Sequence, residues 1–149
     1  MRAAAPSLDR FIDAELARYR LPASACALVG FSQGTMMSLH VGLRRAEPLG
    51  AVVGFSGMLA APESLSAEVK SRPPILLAHG DRDDVIPPAA MFLAADGLAA
   101  AGAPCLWRMS GGAGHTITED ALALGGAFLK DAFAGRFAGW APPQKQPRM

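Results

Sequence analysis

The sequence carries almost no net charge: 14 Lys and Arg stand against 13 Asp and Glu, leaving +1. The charges are interspersed, so no basic field steers the chain to nucleic acid or to an anionic membrane surface. Only two cysteines occur, Cys26 and Cys105, which excludes a disulfide framework. Each opens an apolar run and reads as a small buried hydrophobe. No apolar run approaches the length of a membrane span. The opening stretch, M-R-A-A-A-P-S-L-D-R-F, lacks the long apolar core of a secretory signal, so the expected compartment is the cytoplasm. Internal repeats and interdomain linkers are missing. No clustered His and Cys set offers a metal site, and the expected cofactor complement is none.

What is present is a chain of 149 residues, 51% hydrophobic and 18% charged. That is enough apolar material for the core of one domain. Residues 7–20 predict a helix: Ser7 can cap it after Pro6, and Leu8, Phe11, Ile12, Leu16 and Tyr19 share a face. Residues 25–31, A-C-A-L-V-G-F, are continuously apolar and suit a parallel strand covered on both faces. Residues 33–45 predict a helix closed by Arg44 and Arg45, where positive charge complements the dipole. A second strand ends near Ser56, and residues 61–72 form a polar, partly helical connector. Residues 74–80 predict a third strand, and residues 88–101 a helix stopped by Gly102. Residues 104–110 predict a fourth strand. Thr116-x-x-Glu119 reads as a capping box for a last helix running to about Phe133. The end, W-A-P-P-Q-K-Q-P-R-M, is proline-rich and reads as disordered. Strands that alternate with helices predict a parallel sheet with helices on its faces.

Between the first strand and the second helix stands G-F-S-Q-G, with Ser32 between Gly30 and Gly34. Strand, then G-x-S-x-G, then helix is the setting of a nucleophile elbow. The turn is so tight that side chains at the two glycines are expected to clash. The strain lifts the serine hydroxyl clear at a helix N-terminus, where the backbone N–H of Gln33 can face a developing oxyanion. A nucleophilic serine needs a base, and the base needs an orienting acid. Of three histidines, His40 lies inside an apolar helix and His79 ends the third strand. His115 alone sits in a glycine-rich loop, G-G-A-G-H-T, at a strand-to-helix junction. The loop D-R-D-D-V-I-P offers Asp81, Asp83 and Asp84, and spacing does not choose among them.

With G-F-S-Q-G, H-G-D-R-D-D-V-I-P and G-A-G-H in that order, the chain resembles the phospholipase/carboxylesterase family of α/β-hydrolases from about residue 8 to about residue 133. The resemblance implies an α/β-hydrolase fold, as a partial domain over residues 1–135; the proline-rich composition makes residues 136–149 a disordered tail. It places the nucleophile at Ser32, the acid at Asp83 and the base at His115, with Ser56-Gly57 matching a further family motif. The implied activity is hydrolysis of a small ester or acyl thioester through an acyl-enzyme, without metal or cofactor. Met58, Leu59, Val85 and Ile86 are candidates for an acyl cleft.

Against the family pattern, this sequence lacks the strands expected ahead of its first helix, and the H-G-x-G-like loop that would supply a second oxyanion donor. Its first strand is then expected at an exposed sheet edge, which predicts self-association or poor solubility. Two other readings stand beside the esterase: a non-catalytic fragment or interaction module, and a related peptidase or lactonase.

Overall fold

Four short apolar runs build one sheet, and the chain between them is long enough only for helical crossovers. The computed structural model describes residues 1–138. Its strands are β1 (Ala27–Phe31), β2 (Ala51–Phe55), β3 (Ile75–Gly80) and β4 (Leu106–Ser110). They lie in the order β1-β2-β3-β4, and every pair is parallel. Parallel neighbours require crossovers, and the helices supply them. Helix α1 (Ala5–Tyr19) precedes β1. Helices α2 (Gln33–Gly42), α3 (Pro62–Glu68) and α4 (Ala89–Ala100) join successive strands, and α5 (Glu119–Phe133) follows β4. This is the α/β-hydrolase arrangement, with helices on both faces.

Each face of the sheet has its own core. On one, Val52, Ile75 and Leu77 pack with Leu39 and Leu43 around α2, with Leu65 of α3 and with Met91 and Leu98 of α4. On the other, Ala51, Val53, Phe55, Leu76 and Ala78 meet Ala121 and Phe128 of α5. Every residue of β2 and β3 is buried, which is why neither run alternates. Each fully buried Leu or Ile here contributes about 1.5–3 kcal/mol relative to exposure.

The composition of β1 suits a strand covered on both faces, yet Val29 is 57% exposed and Phe31 39% exposed. Among the described residues β1 pairs only with β2, and α5 packs chiefly on β2, β3 and β4, reaching β1 at Ala27. Among the described residues β1 is therefore an edge of the sheet, and its exposed Val29 and Phe31 are apolar.

Local details depart from the sequence reading in three places. Ser7 does not cap α1: the N-cap position falls on Ala4, and Pro6 sits in the first turn, where its missing N–H costs nothing. Helix α2 stops at Gly42 rather than Arg45, but Arg44 Nη1 still donates to the His40 carbonyl at 3.1 Å and satisfies the helix end. Helix α5 is capped by Thr118, not Thr116; Thr118 Oγ1 accepts from the Ala121 N–H. The Thr116 carbonyl instead faces the Ser56 hydroxyl at 3.3 Å. Gly102 stops α4 as expected, with φ at 70°. Of the tail, residues 139–149 lie outside the described residues; Phe137, inside them, packs its ring on Phe128. Among the described residues no helix is long and apolar enough to cross a membrane.

Candidate active site

The turn between β1 and α2 is held from three sides. Ser32 sits at φ 54° and ψ −117°, a conformation an L-residue keeps only under constraint, at a cost of about 1–3 kcal/mol. The Ser32 N–H donates to the Phe55 carbonyl at 2.9 Å and ties the turn to β2. Buried Thr35 places its hydroxyl 2.9 Å from the Gly30 carbonyl and 2.8 Å from the Phe55 carbonyl. A Cβ at Gly30 would come closer than 3.0 Å to the backbone of Gly34 and Thr35, so only glycine fits there. Gly34 is different: a Cβ there would meet nothing within 4 Å. The expected clash is thus one-sided. The Gly30 Cβ direction runs into the helix start, whereas the Gly34 Cβ direction runs into open space. Gln33 opens α2, and its N–H belongs to the first turn, which lacks intrahelical acceptors.

Asp83 and His115 meet although 32 residues separate them. His115 Nδ1 lies 2.8 Å from Asp83 Oδ2. The side chain of Asp83 is fully buried, and its other oxygen accepts the N–H groups of Val85 and Ile86, both at 2.9 Å. Burial alone would raise the Asp83 pKa. The hydrogen bonds from His115, Ile86 and Val85 outweigh it and hold the carboxyl below its ordinary value. Asp81 and Asp84 are exposed, so of the three acids the loop offers Asp83 is the buried one and the one bonded to His115. Asp81 instead ties two loops together. Its Oδ1 accepts the Gly112 N–H, while the Asp81 and Arg82 N–H groups donate to the Ser110 and Ala113 carbonyls. The loops that carry Asp83 and His115 are thereby stitched along their backbones.

His115 meets the elbow through its ring. His115 packs against Phe31, the residue before Ser32, at 4.8 Å between centroids. The half-buried Ser32 hydroxyl makes no hydrogen bond to another described residue. The structure therefore joins Asp83 to His115 directly, and brings His115 to the serine turn through Phe31. His40 is buried on α2, where burial and neighbouring Arg44 push it below the usual histidine range. Both cysteines are free and half-buried. Burial pushes the Cys105 thiol up to about 11, and raises that of Cys26 in the same direction, so neither is an activated nucleophile.

A family model described as Phospholipase/Carboxylesterase matches residues 1–132. The chain belongs to this family. Among curated proteins it is 32% identical over 108 residues to acyl-protein thioesterase 1 of Gibberella zeae, covering 69% of this chain and 46% of that one. Against acyl-protein thioesterase 1 of Schizosaccharomyces pombe it is 39% identical over 87 residues, covering 56% and 38%. Among solved structures, esterase PE8 superimposes with a TM-score of 0.85 and 45% identity over 88% of this chain and 61% of that one. Arabidopsis thaliana SOBER1 gives 0.83 and 26% identity over 87% and 63%. The chain thus spans about half the length, or less, of the curated relatives it matches.

Of the four cleft candidates proposed on the phospholipase/carboxylesterase likeness, two are not at the surface. Leu59 is 6% exposed and packs in the core beside Leu65 and Leu98. Ile86 is buried, its N–H held by Asp83 and its carbonyl by His79. Met58 and Val85 are exposed, 42% and 63%. An apolar residue two or three places beyond an acid can point either way, and sequence spacing does not say which. Of the residues that brace this arrangement, Thr35 was not singled out in the sequence, and Ser56 only through Ser56-Gly57. Thr35 gives no signal beyond its place after the second glycine. Ser56 repeats the G-F-S pattern of the elbow as Gly54-Phe55-Ser56, and it shares the positive φ, at 45°. His79 reads only as a strand end.

Proposed function

We propose that the chain carries the nucleophile, base and acid of a serine hydrolase acting on carboxylic esters or acyl thioesters. The observation that carries this reading is the buried Asp83–His115 pair held against the residue preceding Ser32. A carboxylate only accepts, so His115 Nδ1 bears the proton and the neutral ring leaves Nε2 as the acceptor. In this reading, Nε2 takes the Ser32 proton as Oγ attacks the acyl carbon. The tetrahedral oxyanion is met by the Gln33 N–H. The alcohol or thiol leaves with the proton held on His115, and an acyl-Ser32 ester remains. Water attacks it with His115 again as base, releasing the acid and restoring the serine. Asp83 holds the ring's tautomer and offsets the charge of the imidazolium. Similarity to acyl-protein thioesterases supports the acyl thioester class, and similarity to an esterase supports the simple ester. No metal or cofactor enters these steps.

A second reading, a weakly active or non-catalytic interaction module, is favoured by one observation: among the described residues β1, which leads into Ser32, is an edge strand. Gln33 is the sole oxyanion donor assigned, and loss of one donor typically costs about 10²–10³ in turnover. Reaction of the purified chain with a fluorophosphonate probe, beside Ser32→Ala, separates the two. Labelling that disappears in Ser32→Ala supports the hydrolase, and an ester and thioester panel then ranks substrates. A folded chain that takes no label refutes it.

A further inference from the structure

His79 does more than end β3. Its ring is buried, and Nε2 lies 2.9 Å from the Ile86 carbonyl oxygen. A carbonyl only accepts, so Nε2 carries the hydrogen. The same N–H stands 3.2 Å from Asp83 Oδ2, the oxygen that receives His115. Ile86 is in turn the residue whose N–H donates to Asp83 Oδ1. One imidazole therefore closes the Asp83–Ile86 turn at its carbonyl end and presents the positive end of its N–H dipole to the carboxylate.

We propose that His79 is the positioning residue for Asp83: its Nε2–H fixes the turn and the carboxylate so that Oδ2 meets His115 Nδ1. The proposal rests on the hydrolase reading for its catalytic consequence, not for its geometry. Without this donor, Asp83 would keep its two backbone N–H partners on Oδ1. Oδ2 would then be held by His115 alone, and the acid and base would drift as a pair. The fully buried carboxylate has no solvent to replace the lost N–H, so the effect falls on orientation.

The test uses the 149-residue chain with His79→Met, which keeps volume but removes the donor, and His79→Gln, whose amide nitrogen can stand where Nε2 stood. Side-chain nitrogen NMR reads the tautomers, the low-field Nδ1–H proton of His115 reads its bond to Asp83, and fluorophosphonate labelling reads Ser32. Wild type is expected to hold His79 as the Nε2–H tautomer and to show the His115 proton. His79→Met loses that proton to exchange and labels about tenfold more slowly; His79→Gln keeps the proton and labels within about threefold of wild type. Equal behaviour of folded Met and Gln variants overturns the proposal, as does an Nδ1–H tautomer of His79 in wild type. If the Met variant does not fold, the wild-type tautomer and the Gln variant decide: Gln without the His115 proton overturns it. A wild type that takes no probe refutes the hydrolase reading, while the NMR arms still decide the role of His79.

Discussion

The two elbow glycines should respond oppositely to the same substitution. At Gly30 an added methyl is met by the backbone of Gly34 and Thr35, closer than 3.0 Å. Those atoms belong to the first turn of α2 and cannot swing aside as a side chain would. Reaching ordinary contact requires the helix start to move by on the order of 1 Å. That movement pulls against the Ser32 N–H to Phe55 bond and both Thr35 hydroxyl contacts. Overpacking against fixed backbone costs about 3 kcal/mol, roughly 10 °C in Tm for a domain of this size. At Gly34 the methyl enters open space, and alanine in a helix is favoured over glycine by about 0.5–1 kcal/mol. Gly34→Ala should therefore melt at or slightly above wild type. Thermal and urea unfolding of the two variants, with fluorophosphonate labelling alongside, give the comparison. A shift of about 1 Å at a nucleophile costs about 10² in rate, so Gly30→Ala should also label slowly where it folds. Equal stability of the two variants, or a less stable Gly34→Ala, would refute the account of the elbow.

Asp83 should govern the acid limb of stability. Its folded pKa is depressed, so its contribution is complete above the unfolded value of about 3.9 and is lost as pH falls through the folded one. Asp83→Asn should flatten the loss of stability below about pH 4 in urea midpoints, and slow labelling of Ser32 by about 10³–10⁴; an unchanged acid limb contradicts the assignment. The β1 edge should drive self-association, and Val29→Lys, which puts a charge on its exposed apolar face, should shift sedimentation toward monomer. A wild-type chain that stays monomeric at high concentration sinks this prediction.

The alternation of strands and helices was legible because the strands are apolar-rich runs and β2, β3 and β4 are flanked by Gly or Pro, and those signals are local. The site was legible only as far as residue type and order reach. Gly30 announces itself through the motif, but the freedom at Gly34 depends on where its missing Cβ would point, and backbone angles set that. Thr116 and Thr118 both stand before α5 with acidic residues close behind. Thr118 became the cap, and the carbonyl of Thr116 was engaged by Ser56 across the sheet's end. That contact spans 60 residues, and no local pattern contains it. The choice of Asp83 from three acids, and the burial of Leu59 and Ile86 beside exposed Met58 and Val85, depend likewise on packing that spacing does not encode.

The site divides into a braced part and an unbraced one. Asp83 and His115 stand on the loops after β3 and β4, which pair along their strands and are then joined by backbone bonds from Asp81 and Arg82 to Ser110 and Ala113. Ser32 stands at the end of β1, which has a strand on one side only among the described residues. Its constraints come from β2 through Phe55, from Thr35, and from the ring of His115 on Phe31. Strain at Ser32 persists only while these hold, because a strained turn relaxes wherever its surroundings loosen. On the proposed hydrolase reading, any weakness in catalysis should therefore lie in the placement of Ser32 and the Gln33 N–H, with the Asp83–His115 pair intact. A covering strand on β1 would act on reactivity through the elbow, without touching the acid or the base.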